Sequence, residues 1–275
     1  MGSTLGIGLY SKDSLKTLIS QEGKRMQRRI EHERNFHNNL VQQSFSNRAI
    51  INRLAHSYYD KQIVYEEVWP EVGDLRKKIV LDYGCGKGGF TFELAKRGAI
   101  VYGIDISESL INIARESTPP DNKTVYFQVQ DCHKTNFPDE MFDLIFGNGI
   151  LHHLEVERAF AELTRILKPG GFGFFMEPLD SHPGINLIRK ITPRARSRDE
   201  NPLNLSDIEK ATRFFKGVNH KEYFLLATIA APLNLIDHSL AKLIVKKLQS
   251  ADKFCFRVFP WLRRYAWITL ITLAK

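Results

Sequence analysis

The chain has 275 residues, 43% of them apolar, and a formal net charge of +8, which is long enough for one large domain with an added lobe and apolar enough for a sizeable core. Its three cysteines, Cys85, Cys132 and Cys255, include no C-x-x-C pair, so neither a disulfide framework nor a zinc ribbon is signalled and a reducing, cytoplasmic setting is expected. No apolar run reaches the roughly 18 to 20 residues that span a bilayer, and the start, "MGSTLGIGLYSKDS", has no signal-peptide pattern and carries Gly6 where a myristoylation signal needs Ser or Thr.

Residues 1–70 read as helices. "SLKTLISQEGKRMQRRIEHERNFHNNLVQQS" is polar and free of Pro, and "NRAIINRLAHSYYDKQIVYEEVW" spaces apolar residues at helical intervals up to Pro70. The pattern then changes. "KIVLDYG" predicts a buried strand with a Gly-rich turn, and "GGFTFELAKRG" a short helix closed by Gly98. "AIVYGIDIS" predicts a second strand, and "SESLINIARES" a helix capped by Ser107. "KTVYFQVQD" and "MFDLIFGNG" predict a third and a fourth strand. "EVERAFAELTRILKPGG" predicts a helix stopped by Pro-Gly-Gly, and "FGFFMEP" a fifth strand. Five strand–helix alternations argue for a mainly parallel sheet with helices on both faces. After Pro178 the alternation stops. A basic insertion with three prolines, helical material to about residue 250, and a final strand in "RRYAWITLITLAK" follow.

The stretch "IVLDYGCGKGGF" decides the ligand. Gly84, Gly86 and Gly89 fit a dinucleotide fingerprint, and Gly84, Gly86 and Gly88 fit G-x-G-x-G. In either case the glycines follow a strand and open a helix, where a ligand meets free backbone N–H groups. The two readings separate at Asp82. A carboxylate two residues before the first Gly repels a pyrophosphate and suits a cation, such as the sulfonium and ammonium of S-adenosylmethionine.

"VLDYGCGKG" resembles motif I of the class I S-adenosylmethionine-dependent methyltransferases, of the small-molecule, bacterial type. "VYGIDIS", "VQDCHKTNFPDEMFDLIFGNGILHHL" and "LTRILKPGGFGFFMEP" resemble the blocks that follow in that family, in order, from about Ile79 to Pro178. The resemblance implies a Rossmann-like, doubly wound α/β fold. Its seven-stranded sheet would carry an N-terminal helical lid (1–70), a donor-binding core (71–178) and an inserted helical acceptor lobe with the last strands (179–275). The donor would be S-adenosylmethionine and the product S-adenosylhomocysteine. Asp82, Gly84, Cys85 and Gly86 would line the methionine moiety. Asp105 and Ile106 would hold the ribose and adenine edge, Asp131 and Cys132 the adenine, and Asn148 the amino acid portion. In "YYD", Tyr59 resembles a lid tyrosine that reaches the carboxylate or methyl; Phe36 and His37 are further lid candidates.

Methyl transfer is an in-line displacement that needs a base only if the nucleophile must lose a proton. His152 and His153 stand just past the fourth strand and are the candidates, one of them alternatively packing on the sheet. No cluster of carboxylates of the kind metal-dependent relatives use is visible, so no metal is expected. Residues 1–179 carry 22 basic and 23 acidic side chains, and residues 180–275 carry 17 and 8. Arg189, Lys190, Arg194, Arg196 and Arg198 either bind an anionic acceptor group or coat the surface. "YFLLATIAAPLNLI" and "FCFRVFPWLRRYAW" form either a greasy wall for a hydrophobic acceptor, such as an isoprenoid or aromatic natural product, or ordinary core. The expected partner is a small molecule and not nucleic acid. RNA or protein methylation through the basic last third is the alternative, and an NAD-dependent oxidoreductase is opposed by Asp82. The long polar N-terminal helix offers a surface for a homo-oligomer.

Overall fold

The structure, a computed structural model, describes residues 12–43, 61–191, 197, 200–235 and 238–275. Seven strands form one sheet: β1 (Ile79–Tyr83), β2 (Ile100–Asp105), β3 (Val125–Val129), β4 (Phe142–Asn148), β5 (Leu167–Pro178), β6 (Gly217–Tyr223) and β7 (Ile268–Ala274). Their order is β3-β2-β1-β4-β5-β7-β6. The first five are parallel, and β7 runs antiparallel between β5 and β6. The strand order reverses between β1 and β4, so the crevice beyond their carboxyl ends is where an open α/β sheet takes its ligand.

The central strands are apolar because both sheet faces are covered. In β1, Val80 and Leu81 are fully buried on opposite faces. One face packs with Tyr83, Phe142, Phe160, Leu163 and Phe175, and the other with Val64, Val68, Leu94, Phe146 and Trp267. Among the described residues, the α-helices are α1 (Lys12–Gln43), α2 (Lys61–Val72), α3 (Gly89–Lys96), α4 (Glu108–Glu116), α5 (Val156–Ile166), α6 (Pro183–Ile191), α7 (Leu205–Glu209) and α8 (His238–Val258). Ser107 caps α4 by accepting from Leu110 N, as its position before an acidic first turn predicts. Ala159, Phe160, Leu163 and Ile166 form the buried stripe of α5, the spacing of a helix with one inward face.

Three sequence expectations need correction. Pro70 does not end its helix, which continues to Val72. Pro-Gly-Gly is not what stops α5, which ends at Ile166; β5 already begins at Leu167 and runs through Pro-Gly-Gly, with a register irregularity opposite Phe142 and Leu144. The stretch read as helical to residue 250 contains β6. Its "GVNHKEY" is an edge strand whose polar residues leave no alternating apolar signal.

The greasy stretches resolve only in part as core, since Leu226, Ile229, Phe254, Phe259 and Trp261 within them are exposed. Phe224, Ala227 and Ala230 are buried in the cluster that also holds Trp267, and Phe256 is buried in the other. Asp252 on α8 accepts from Leu225 N (3.0 Å) and Leu226 N (2.8 Å), which fixes the start of the turn over Ala227–Leu235. Among the described residues, no helix is long and apolar enough to cross a membrane.

Candidate functional site

A cavity of about 290 Å3 lies at the carboxyl ends of β1, β2 and β4. Its floor is the turn after β1. Gly84 N and Cys85 N donate to Ile104 O at 2.9 and 2.8 Å, pulling the turn against β2. Gly84 sits at φ +77°, and a Cβ there would stand 2.7 Å from Ile150. Gly86, at φ +54°, lines the cavity, and a Cβ there would meet no atom within 4 Å. Its open side is therefore space that a ligand can occupy against bare backbone.

Asp105 ends β2 with both oxygens engaged. Oδ2 accepts from Gly86 N and Oδ1 from Ser107 N, each at 2.9 Å. Each oxygen keeps a lone pair for a ligand hydroxyl. Asp131, beyond β3, accepts from His133 N and from His133 Nδ1, both at 2.9 Å. Glu155 N donates to His133 Nε2 at 2.9 Å, so the ring proton sits on Nδ1 and points at Asp131. Burial raises the Asp131 carboxyl, but His133 outweighs it and the net shift is downward. Cys132 is buried, its carbonyl takes the Tyr83 hydroxyl, and burial raises its thiol well above the usual range.

The far wall is the turn after β4. Glu177, fully buried at the end of β5, accepts from Ile150 N and Leu151 N at 2.9 Å, from His152 N at 3.3 Å and from His152 Nδ1 at 2.7 Å. One carboxylate thus organises the whole turn. His153 faces the cavity, as do Asn148, Gly149 and Ile150. Tyr65 on α2 donates its hydroxyl to Asn148 Oδ1 and stacks on Phe90 with centroids 4.6 Å apart.

The roof is α1. Arg29, Ile30, Glu33 and His37 line the cavity. Arg29 Nη2 donates to His153 O at 3.0 Å, and Asn38 Oδ1 accepts from Ser107 Oγ at 2.6 Å. The helix therefore bridges the loops after β2 and β4. Burial works against ionisation of Glu33, but His153, His37 and Ser197 outweigh it and hold the carboxyl well below the usual range. Burial, then the neighbouring His152 ring, pushes His153 down, whereas Glu33 overrides burial and raises His37.

Gly84, Gly86, Asp105, Ile106, Asp131, Cys132 and Asn148 all line this cavity, together with His153 and His37. Asp82 and Cys85 do not. Asp82 is buried beneath the turn and takes the Thr91 hydroxyl at 2.6 Å, and Cys85 packs on the cluster of Ile111 and Phe127. His152 is turned onto Glu177, its Nε2 3.9 Å from Glu200. Tyr59, Arg194, Arg196 and Arg198 lie outside the described residues. Sequence reasoning missed Glu33, Tyr65 and Glu177; the acid in "FFMEP" was the one available signal, a carboxylate ending an apolar strand. A groove of about 1400 Å3 adjoins the cavity, with Arg29 and Leu154 lining both. Of the described residues after Pro178, Glu200, Asn201, Leu203, Asp207 and Lys210 line that groove, and none lines the cavity.

The sheet order, the glycine turn and the acids ending successive strands define a nucleoside-binding α/β domain. Residues 81–175 match the family described as "Methyltransferase domain", and the chain carries a class I S-adenosylmethionine-dependent methyltransferase domain. It is similar to the ubiquinone biosynthesis O-methyltransferase of Coxiella burnetii, 35% identical over 127 residues, 46% of this chain and 50% of that protein. Phosphoethanolamine N-methyltransferase 1 of Zea mays is 42% identical over 94 residues, 34% of this chain and 19% of that one. The chain thus spans half the length or less of these curated relatives. A Haemonchus contortus phosphoethanolamine N-methyltransferase 2 structure superposes with a TM-score of 0.61 at 18% identity, over 87% of this chain and 60% of that one, and so shares the fold.

Proposed function

We propose that the chain transfers a methyl group from S-adenosylmethionine to a small-molecule acceptor by in-line displacement. The observation that carries the reading is the cavity itself: a glycine turn with open space at Gly86, and two acids, Asp105 and Asp131, at the ends of adjacent strands. The residues fit the donor. Asp105 would take the ribose hydroxyls, Asp131 and Cys132 the adenine, and the Gly86 and Asn148 region the amino acid portion. Asp82 acts from beneath the turn by its charge. When bound, S-adenosylmethionine supplies a methyl carbon made electrophilic by the adjacent sulfonium.

The chain's residues then position and desolvate the reactants. His153 is the candidate base. It faces the cavity, and its lowered pKa keeps the ring unprotonated near neutrality and able to accept a proton. His152 acts through the turn, holding it against Glu177. The acceptor enters by the groove that meets the cavity at Arg29 and Leu154. A hydrophobic or aromatic body, as in a specialised metabolite, suits Ile30, Ile150 and Leu154, which face the cavity. The Coxiella relative, by its name, belongs to ubiquinone biosynthesis.

Calorimetry with S-adenosylhomocysteine and with NAD tests the donor, and NAD binding without a response to S-adenosylhomocysteine would sink the reading. A labelled-methyl screen over phenols, isoprenoids, phosphoethanolamine, RNA and protein tests the acceptor. Transfer to RNA or protein alone would refute the small-molecule assignment.

A further inference from the structure

The geometry points to a divalent transition-metal site formed by Glu33, His37 and His153 at the roof of the cavity. Glu33 and His37 are four residues apart on α1, one turn along one helix face, and His153 comes from the turn after β4. Their donor atoms all lie within 4.8 Å of one another. Glu33 Oε2 is 3.5 Å from His37 Nε2 and 3.2 Å from His153 Nδ1. Donors bonded at the usual zinc distances of about 2.0–2.1 Å in a tetrahedron stand about 3.4 Å apart, so both measured edges fit. The third edge, between His37 and His153, is within 4.8 Å.

Two further observations separate this group from an ordinary ion pair. Glu33 Oε2 and His153 Nδ1 are buried and, despite their proximity, neither makes a hydrogen bond of acceptable geometry. Such groups normally have a partner, and an ion between them would satisfy both. Two contacts hold the group in place, one on the carboxylate and one on the backbone of the histidine turn. Glu33 Oε1 takes the Ser197 hydroxyl, fixing the carboxylate, and the His153 carbonyl takes Arg29. Beside it, His152, His153 and Glu200 form a second set within the same spacing, with His152 oriented by Glu177.

One carboxylate and two imidazoles select zinc, iron, cobalt, nickel or manganese over magnesium or calcium, which prefer all-oxygen shells. Three protein ligands leave a position open. All three line the cavity, so that position faces the space where an acceptor would lie and can carry water or an acceptor oxygen; an ion on Nδ1 would occupy His153 as a ligand, so its role as base belongs to the metal-free protein. The chain was expected to hold no metal because its sequence shows no cluster of carboxylates. This group is mixed, and folding brings its members together across more than a hundred residues.

The test uses tag-free full-length protein stripped with chelator, titrated with Zn2+, Mn2+ and Mg2+ by calorimetry, with bound metal counted by mass spectrometry. It requires no donor and no activity, so its outcome is separate from that of the methyl-transfer reading. One equivalent of Zn2+ is expected with a Kd below about 10 μM, with no saturable Mg2+ binding. Glu33→Gln, His37→Gln and His153→Gln are each expected to weaken Zn2+ at least about tenfold, while the exposed-site control Glu93→Gln does not. Circular dichroism confirms that each variant is folded. The proposal is overturned if the parent protein binds no stoichiometric Zn2+ below about 100 μM. It is equally overturned if the three variants bind as the parent does, or if only His152→Gln and Glu200→Gln lose the ion.

Discussion

Replacing Glu177 with Ala removes the carboxylate on which the turn after β4 is built. Three backbone N–H groups, of Ile150, Leu151 and His152, and the His152 ring lose their acceptor in a fully buried place. Hydrogen bonds to a charged group contribute about 1.5–3 kcal/mol each, and a stranded buried donor costs about 1–3 kcal/mol. These figures are not additive here, because the turn relaxes as a unit. The comparison with broken buried pairs sets the loss at about 3–5 kcal/mol. Glu177→Gln keeps one oxygen to accept from Ile150 and Leu151 and is expected to lose about 1–3 kcal/mol. Urea unfolding with a slope of about 3 kcal/mol/M would show the Ala variant's midpoint falling by roughly 1 M with the slope unchanged. An Ala variant within about 1 kcal/mol of the parent would refute the view that this carboxylate organises the turn.

Asp105→Ala is expected to weaken S-adenosylhomocysteine at least about tenfold in calorimetry, since two charge-assisted bonds are at stake; an unchanged Kd removes the ribose assignment. Gly86→Ala pays strain at φ +54°, about 1–2 kcal/mol of stability, and puts a methyl into the open side of the turn, so donor affinity should fall more than stability does. If affinity is unchanged, the ligand does not approach there. His220 is raised by its bond to Glu222, an effect opposed by burial and Arg263. A raised imidazole stabilises fully below its ordinary value of 6.5 and loses that contribution as pH rises through the folded value. His220→Gln should therefore lower the urea midpoint at pH 5.5 more than at pH 9, and a constant gap would contradict the coupling.

The parallel half of the fold was legible because each strand is a short apolar run closed by Gly or an acid, and buried strands announce themselves that way. β6 was not, since "GVNHKEY" is held by β7 on one side only and needs few apolar residues. In the site, the floor was readable from local sequence: Gly84, Gly86, Asp105 and Asp131 each lie at the end of a strand or within three residues of it. The roof was not. Glu33 sits in a helix of mixed polar residues, and nothing within a dozen positions marks it as facing His153. Tyr65 shows the same limit: no local pattern marks it off from the other aromatic residues of its stretch, and only folding brings it to Asn148. Asp82 was legible as important by charge, but its burial under Thr91 depends on α3 folding back over β1.

The place of β7 between β5 and β6 bears on the order of assembly. β6 reaches the sheet only through β7, although β6 is made some fifty residues earlier. During synthesis it waits with no neighbour until 268–274 emerge, and both it and β5 then present unpaired edges, the kind that recruit other chains. Removing those seven residues would detach β6 and leave an open β5 edge. Such a shortened chain should aggregate and not merely lose stability.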